Sequence, residues 1–196
     1  MYTAARSHLD ECPWRVIFGE TEARTLVLLE HMTRIPALSW SCVANFRIAE
    51  VDGTPAAAMC GFSPGAGSVP HDPQPELDLA RRVFAYSEAH LAGVSERLGI
   101  AALGMPRDLP DVWAIENVAV LPEYRGKGLI DKLFERVFQE GRDKGFMHVQ
   151  IHCLIGNEPG LRTFERNGFR VVSQQTSAAF NDLFGAPGAK LLAQAL

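Results

Sequence analysis

Between Ile115 and Phe138 the chain passes from a short apolar strand through Arg125-Gly126-Lys127-Gly128-Leu129-Ile130 directly into an amphipathic helix. That passage constrains the fold more than any other. A glycine-loosened turn at a helix start leaves backbone N–H groups without intrahelical acceptors, and the helix dipole adds partial positive charge there. The chemistry favoured at such a turn is anion binding, with phosphate the usual guest. Arg125 and Lys127 supply charge on the same turn. The structural alternative is a tight turn whose glycines only relieve backbone strain.

Composition sets the frame for that turn. A chain of 196 residues can bury roughly 70% of its unfolded surface and needs no metal or disulfide staple. It is read as one domain over residues 1–196. A formal charge of −4 argues against a general nucleic-acid binder, which would present a basic face. Cys12, Cys42, Cys60 and Cys153 are scattered, with no C-x-x-C pair, so reduced thiols fit better than a disulfide framework or a zinc site. The polar start and the lack of any apolar stretch of about 20 residues point to a cytoplasmic protein without a membrane partner.

Periodicity places the elements. Glu20–Arg34 reads as a helix with a stripe of Leu26, Leu29 and Met32, Val27 beside it, and Pro36 ending it. Phe46–Val51 and Pro55–Phe62 flank Asp52-Gly53, a hairpin signal. Gly61–Pro75, with four prolines and three glycines, is a loop that can border a substrate entrance. Helices follow at Glu76–Leu91 and Val94–Leu98. Ile115–Val120 is a strand, and Leu129, Ile130, Leu133, Phe134, Val137 and Phe138 recur at helical spacing up to Gly141 and Gly145. Phe146–Ile155 is a strand, Asn157 caps a short helix that stops at Asn167-Gly168, and Phe169–Gln174 and Ala189–Ala193 are strands.

Three phosphate loops compete for the turn. The nucleotide P-loop needs G-x-x-x-x-G-K-[ST], which is absent, and the dinucleotide fingerprint needs a third glycine where Asp131 stands. The third pattern, Arg/Gln-x-x-Gly-x-Gly/Ala between a strand and a helix, fits. Glu116 through Leu129 resembles the central strand, bulge and pyrophosphate loop of the GNAT acetyltransferase superfamily. A second block, Ile155-Gly156-Asn157-Glu158-Pro159-Gly160 to Phe164-Glu165-Arg166-Asn167-Gly168-Phe169, is similar to that family's N-x-x-A-x-x-x-Y-E-x-x-G-F segment. Three positions depart from the pattern: Ile130 for the loop's last Gly/Ala, Gly160 for Ala, and Phe164 for the Tyr that can protonate a leaving thiolate.

The resemblance implies an α/β (α+β) fold, a mixed and mostly antiparallel twisted sheet with helices on both faces. Its cofactor half is about 113–172 and its acceptor-side half about 1–112, with the cleft between splayed strands Ile115–Val120 and Met147–Ile155. It implies acetyl-CoA as co-substrate and direct acyl transfer to a small-molecule or peptide amine; the sequence offers no ligand set for a metal, and it leaves monomer and homodimer both open. By carry-over, the amides of Gly126, Lys127, Gly128, Leu129 and Ile130 meet the pyrophosphate, with Arg125 and Lys127 nearby. Backbone groups of Val118, Ala119 and Val120 pair with pantetheine like an added strand. An amide at the bulge, of Val118 or Ala119, polarises the thioester carbonyl. Asn157 and Phe164 lie beside the cofactor arm, and Asn157 has helix capping as its alternative role.

Glu116 is the candidate general base or substrate anchor, placed by simple alternation on one face with Val118 and Val120. A Cys-like thiol of pKa about 8.5 leaves as thiolate near pH 7 for roughly 2 kcal/mol. A Lys-like ammonium of pKa about 10.4 costs roughly 4–5 kcal/mol to deprotonate, so a base matters more than the missing phenol. Cys153, Tyr124 and His152 are substitute acids. His148 and His152 are otherwise packing or surface residues, and Trp40, Trp113 and Phe62 are core residues with pocket lining as the alternative. A binding-only acyl-CoA sensor and a nicotinamide enzyme are the competing functions.

Overall fold

The N-terminal helices each carry their own start or stop. The computed structural model describes residues 1–35, 40–64 and 74–196. Helix α1 (Tyr2–Arg6) leads to α2 (Pro13–Phe18), which begins on Pro13, where the missing N–H costs nothing, and stops at Gly19, φ +64°. Helix α3 (Glu22–Met32) is capped by Thr21, whose hydroxyl accepts from the Arg24 amide at 3.4 Å. The buried stripe is Thr25, Leu28, Leu29 and Met32. The expected stripe is thereby corrected, since Leu26 and Val27 are exposed at 45% and 42%. Pro36 lies outside the described residues.

Strands β1 (Phe46–Val51) and β2 (Thr54–Phe62) form the expected hairpin. Asp52 and Gly53 both have positive φ, +51° and +75°, the geometry that Asp-Gly accommodates. Of the expected Gly61–Pro75 loop, Gly61 and Phe62 end β2, Gln74 and Pro75 open the next helix, and residues 65–73 lie outside the described residues. Two helices follow with different bounds from those expected, α4 (Gln74–Phe84) and α5 (Glu88–Leu103). The break falls earlier because Ala85 takes a positive φ and Ser87 caps α5 by accepting from the His90 amide at 3.2 Å.

Strand β3 (Trp113–Val120) enters α6 (Leu129–Asp143), then β4 (His148–Leu154), α7 (Glu158–Arg166), β5 (Arg170–Thr176), α8 (Ala178–Phe184) and β6 (Gly188–Ala195). Gly145, φ +87°, terminates α6, whereas Gly141 belongs to its buried face. A Cβ on Gly141 would lie 2.7 Å from Leu196 and 2.9 Å from the Trp113 ring. Helix α8 was not expected, although Ser177 at its N-cap and Gly185 at its αL stop are ordinary boundary signals.

The sheet has the order β1-β2-β3-β4-β6-β5 and every pair is antiparallel except β3–β4. Helices α6 and α7 cover one face. There Trp113, Ile115, Phe134, Val137, Val149 and Phe169 form a core. Burying each such side chain is worth about 1.5–3 kcal/mol. The other face carries Cys60, Phe62 and Ala114, and the remaining helices pack around a separate cluster that includes Phe18, Leu28, Met32, Leu79 and Phe180. All four cysteines are free thiols. Among the described residues no helix is long and apolar enough to cross a membrane.

Candidate active site

Parallel pairing between β3 and β4 runs only from Trp113↔Val149 to Ile115↔Ile151, although both strands continue. Beyond those pairs the two strands part, and Glu116 and His152 are the first residues of the opening. What parts them is a bulge in β3. Ala119 registers with Ala58 and Glu116 with Cys60, so Asn117 and Val118 together oppose Met59. Asn117 takes φ +57°, and its Nδ2 donates to the Trp40 carbonyl at 2.8 Å, which ties the bulge to the acceptor-side half.

The bulge overturns the expectation that Glu116 shares a face with Val118 and Val120. The extra residue reverses the alternation beyond it. Val118 and Val120 pack against the α6-side core, while Glu116 lies with its partner Cys60 on the opposite face. There Glu116 Oε1 sits 3.6 Å from His152 Nδ1, with the Glu116 side chain 38% exposed and His152 12% exposed. His152 Nε2 meets the Pro106 carbonyl at 3.1 Å and lies 3.9 Å from Asp108 Oδ1.

The loop carrying Pro106 and Asp108 is held by buried Gln150, whose Nε2 donates to Asp108 Oδ1 and whose Oε1 accepts from the Leu109 amide at 2.8 Å. Burial alone would depress the His152 pKa. The Glu116 carboxylate beside the ring, the charge of Asp108 and the Pro106 carbonyl together raise it above the ordinary value.

The turn at the other end of β3 has the geometry expected of it. After a 3-10 turn at Pro122–Tyr124, Gly126 and Gly128 take φ +74° and +70°, and Gly128 is the αL N-cap of α6 without a side-chain cap. Among the described residues, nothing lies within 4 Å of a Cβ placed on either glycine. The glycines therefore serve the backbone conformation, and the space above the turn is open. Among the described residues, the first amide to close a backbone bond onto this turn is Lys132, to Gly128 O at 3.2 Å. The amides before it lie at the positive end of the helix. Arg125 and Lys127 are exposed, and the Lys127 ammonium sits 4.8 Å above the Tyr124 ring. Leu129 and Ile130 pack against the α6-side core. The Ile130 side chain, the departure from the usual small residue, is thus turned away from the loop.

The second block is structural as well. Asn157 caps α7, its Oδ1 accepting from the Gly160 amide at 3.0 Å. A Cβ at Gly160 would fall 2.4 Å from Asn157 Nδ2, the end of a side chain that would have to shift to admit it. Phe164 is 7% exposed and meets Phe134 and Phe169 edge-on at 6.1 and 6.3 Å, so its ring belongs to the core. Cys153 is buried in the same core, its thiol pushed up to about 11 by burial and so uncharged near neutrality. Trp113 is fully buried and Phe62 nearly so, whereas half-buried Trp40 stacks on Trp14 at 5.2 Å. Asp108, Gln150 and Pro106 carried no readable signal in the sequence, since only folding brings their loop to β4.

The sequence profile described as "Acetyltransferase (GNAT) family" matches residues 9–169. An N-acetyltransferase from Staphylococcus aureus Mu50 has a similar structure at 19% identity and a TM-score of 0.59, over 89% of this chain and 82% of that one. A further acetyltransferase structure gives 16% identity and a TM-score of 0.53, over 90% and 83% of the two chains. A variant of agmatine N-acetyltransferase, in its apo form, gives 20% identity and a TM-score of 0.51, over 92% and 86%. No curated protein sequence matches the chain. At these identities the structural likeness is one of fold. With a family profile spanning most of its length, this chain belongs to the GNAT acetyltransferase family.

Proposed function

We propose that this chain is an N-acetyltransferase that moves an acetyl group from acetyl-CoA to an amine by direct attack in a ternary complex. One observation carries the reading. A single segment, β3 through the start of α6, ends the strand pairing at Glu116 and then opens a glycine turn of free amides at a helix N-terminus.

The residues fit the co-substrate. The open space above Gly126 and Gly128, the amides up to Ile130, and the charges of Arg125 and Lys127 suit a pyrophosphate. The stretch of β3 beyond its last pair with β4 suits a pantetheine arm pairing along Val118, Ala119 and Val120 on that side. Of the two candidate amides for polarising the thioester carbonyl, Val118 lies in the bulge without a register partner, whereas Ala119 registers with Ala58. Acetyl-CoA supplies an activated acyl group whose thiol departs at modest cost near neutral pH. Glu116 takes the ammonium proton of the acceptor, directly or through water. Asn157 and Phe164 support this half from behind, as helix cap and core ring.

The acceptor is read as a cationic amine, since Glu116 and Asp108 both stand on the acceptor side of the opening. Agmatine, the substrate named for one structural neighbour, is therefore a sensible first probe. The test is thiol release from acetyl-CoA in the presence of agmatine and a panel of other amines. Amine-dependent release that collapses in Glu116→Gln supports the reading. Tight acetyl-CoA binding with no release for any amine, and none lost on Glu116→Gln, would instead make the chain a binding module.

A further inference from the structure

The His152 ring is held in one tautomer. Its Nε2 faces the Pro106 carbonyl at 3.1 Å, and a carbonyl only accepts, so Nε2 carries a hydrogen. In the neutral ring Nδ1 is then a bare lone pair, and it points at Glu116 Oε1 from 3.6 Å. Two acceptors facing each other repel unless a proton lies between them. This contact can therefore share one proton between two strands at the point where they separate.

We propose that His152 is the proton-holding partner of Glu116, so that the two residues act as one base across the β3–β4 opening. The proposal rests on Glu116 being the group that meets the acceptor. The acceptor's ammonium loses one N–H bond and Glu116 Oε2 gains the proton. The carboxyl rotates about its Cγ–Cδ bond and passes that same proton to His152 Nδ1, leaving a carboxylate beside an imidazolium. One N–H bond breaks, one N–H bond forms, and the carboxylate ends as it began. His152 touches neither substrate, which makes it a positioning residue in this scheme.

The surroundings favour that resting place. Among the described residues, the charged groups at the ring are Glu116 from β3 and Asp108 from the loop before it, both negative. From β6 the register partner is apolar Leu191, and Lys190 registers with Cys153 on the opposite face. Helix α1, packed on β3, brings the Met1 ammonium to Cys60, the cross-strand partner of Glu116. On the strand itself the neighbour two residues away is the neutral amide of Gln150, which fixes Asp108 and the Leu109 amide. The raised pKa of His152 agrees with this set. A base that titrates near neutrality, above a lone carboxylate at about 4.3, is better matched to an ammonium donor.

The first test needs no acceptor. Long-range proton–nitrogen NMR of the full chain, with His152 assigned by its loss in His152→Gln, reads both tautomer and titration. The expected result is the Nε2–H tautomer at high pH and a midpoint above about 6.5 that drops by one unit or more in Glu116→Gln. A midpoint at or below that value, or one indifferent to Glu116→Gln, overturns the proposal whether or not any amine is acetylated.

The second test uses the amine that supports turnover. His152→Asn keeps a donor near the Nδ1 position but cannot titrate, while His152→Gln removes it. In both, the acidic limb of kcat/KM should move down by at least one pH unit, with His152→Asn retaining about tenfold more activity than His152→Gln. Acetyl-CoA affinity, expected to be unchanged, checks that each variant is folded. An unmoved limb in folded variants refutes the relay and leaves Glu116 acting alone.

Discussion

The two ends of β3 do different work by different means. The turn at Arg125–Ile130 is made of consecutive residues, is exposed, and offers backbone amides at the end of one helix. The opening at Glu116 is assembled from β3, β4 and the loop before β3, and offers side chains whose protons depend on one another. A site of backbone groups tolerates most side-chain changes but depends on its dihedral angles. A site of converging side chains is sensitive to each member. Cofactor affinity and turnover should therefore separate cleanly on mutation.

Glu116→Gln should break the opening and spare the turn. Removing a general base costs about 10²–10⁴-fold in rate, so kcat should fall by that factor while acetyl-CoA affinity, measured by calorimetry, stays within about twofold. Gly126→Ala with Gly128→Ala should do the converse. Forcing two β-carbons into left-handed angles costs about 1–2 kcal/mol each. The expectation is about tenfold or weaker acetyl-CoA binding, with kcat at saturation retained. If kcat collapsed instead, the two ends of β3 would not be separable.

Asn157→Ala probes the helix behind the cofactor half. Loss of its cap bond should cost about 1 kcal/mol in urea unfolding with little kinetic effect. A large rise in the KM for acetyl-CoA would turn Asn157 from a cap into a ligand contact. The smallest effect concerns Asp131, in the first turn of α6, which accepts from Asn167 Nδ2 and Arg166 Nη2, both at 2.8 Å.

The Asn167 bond, against some desolvation, and the Arg166 charge hold the Asp131 carboxyl below its usual value. Its contribution is therefore present above the unfolded pKa of about 3.9 and lost as pH falls through the lower folded value. Exposed at 40%, the pair is worth about 0.5–1 kcal/mol after screening. Asp131→Asn should be destabilising by that amount at pH 7, with the difference shrinking as the pH falls through the lowered folded value. His152 has the opposite sign. Its pair with Glu116 stabilises below the unfolded pKa of about 6.5 and that contribution disappears as pH rises through the raised folded value.

Legibility followed the range of the interactions. The hairpin at Asp52-Gly53, the β3–turn–α6 passage and the capped α7 were readable because neighbouring residues set them. The stripe of α3 was misread because Leu26, Val27, Leu28 and Leu29 are all apolar, and only packing selects Leu28 and Leu29. Helix α8 and the break at Ser87 carry only short local signals, Ser177 with Gly185 and Ser87 itself, beside weak apolar periodicity.

At the site, Arg125, Gly126, Lys127, Gly128 and Glu116 were all nameable from the chain, as was the core-facing character of Leu129. The orientation of Glu116 was not. Strict alternation puts it with Val118, and a bulge two residues wide, opposite Met59, puts it on the other face.

The sequence by itself determined the strand–turn–helix, its αL glycines and the family, because a glycine's freedom and a helix's free amides are local properties. Tertiary structure alone decided that Glu116 meets His152, that Ile130 leaves the loop open, and where in the core the Phe164 ring packs. Each of those depends on which way a side chain points when distant strands come together. A bulge changes that direction without changing the composition of the strand.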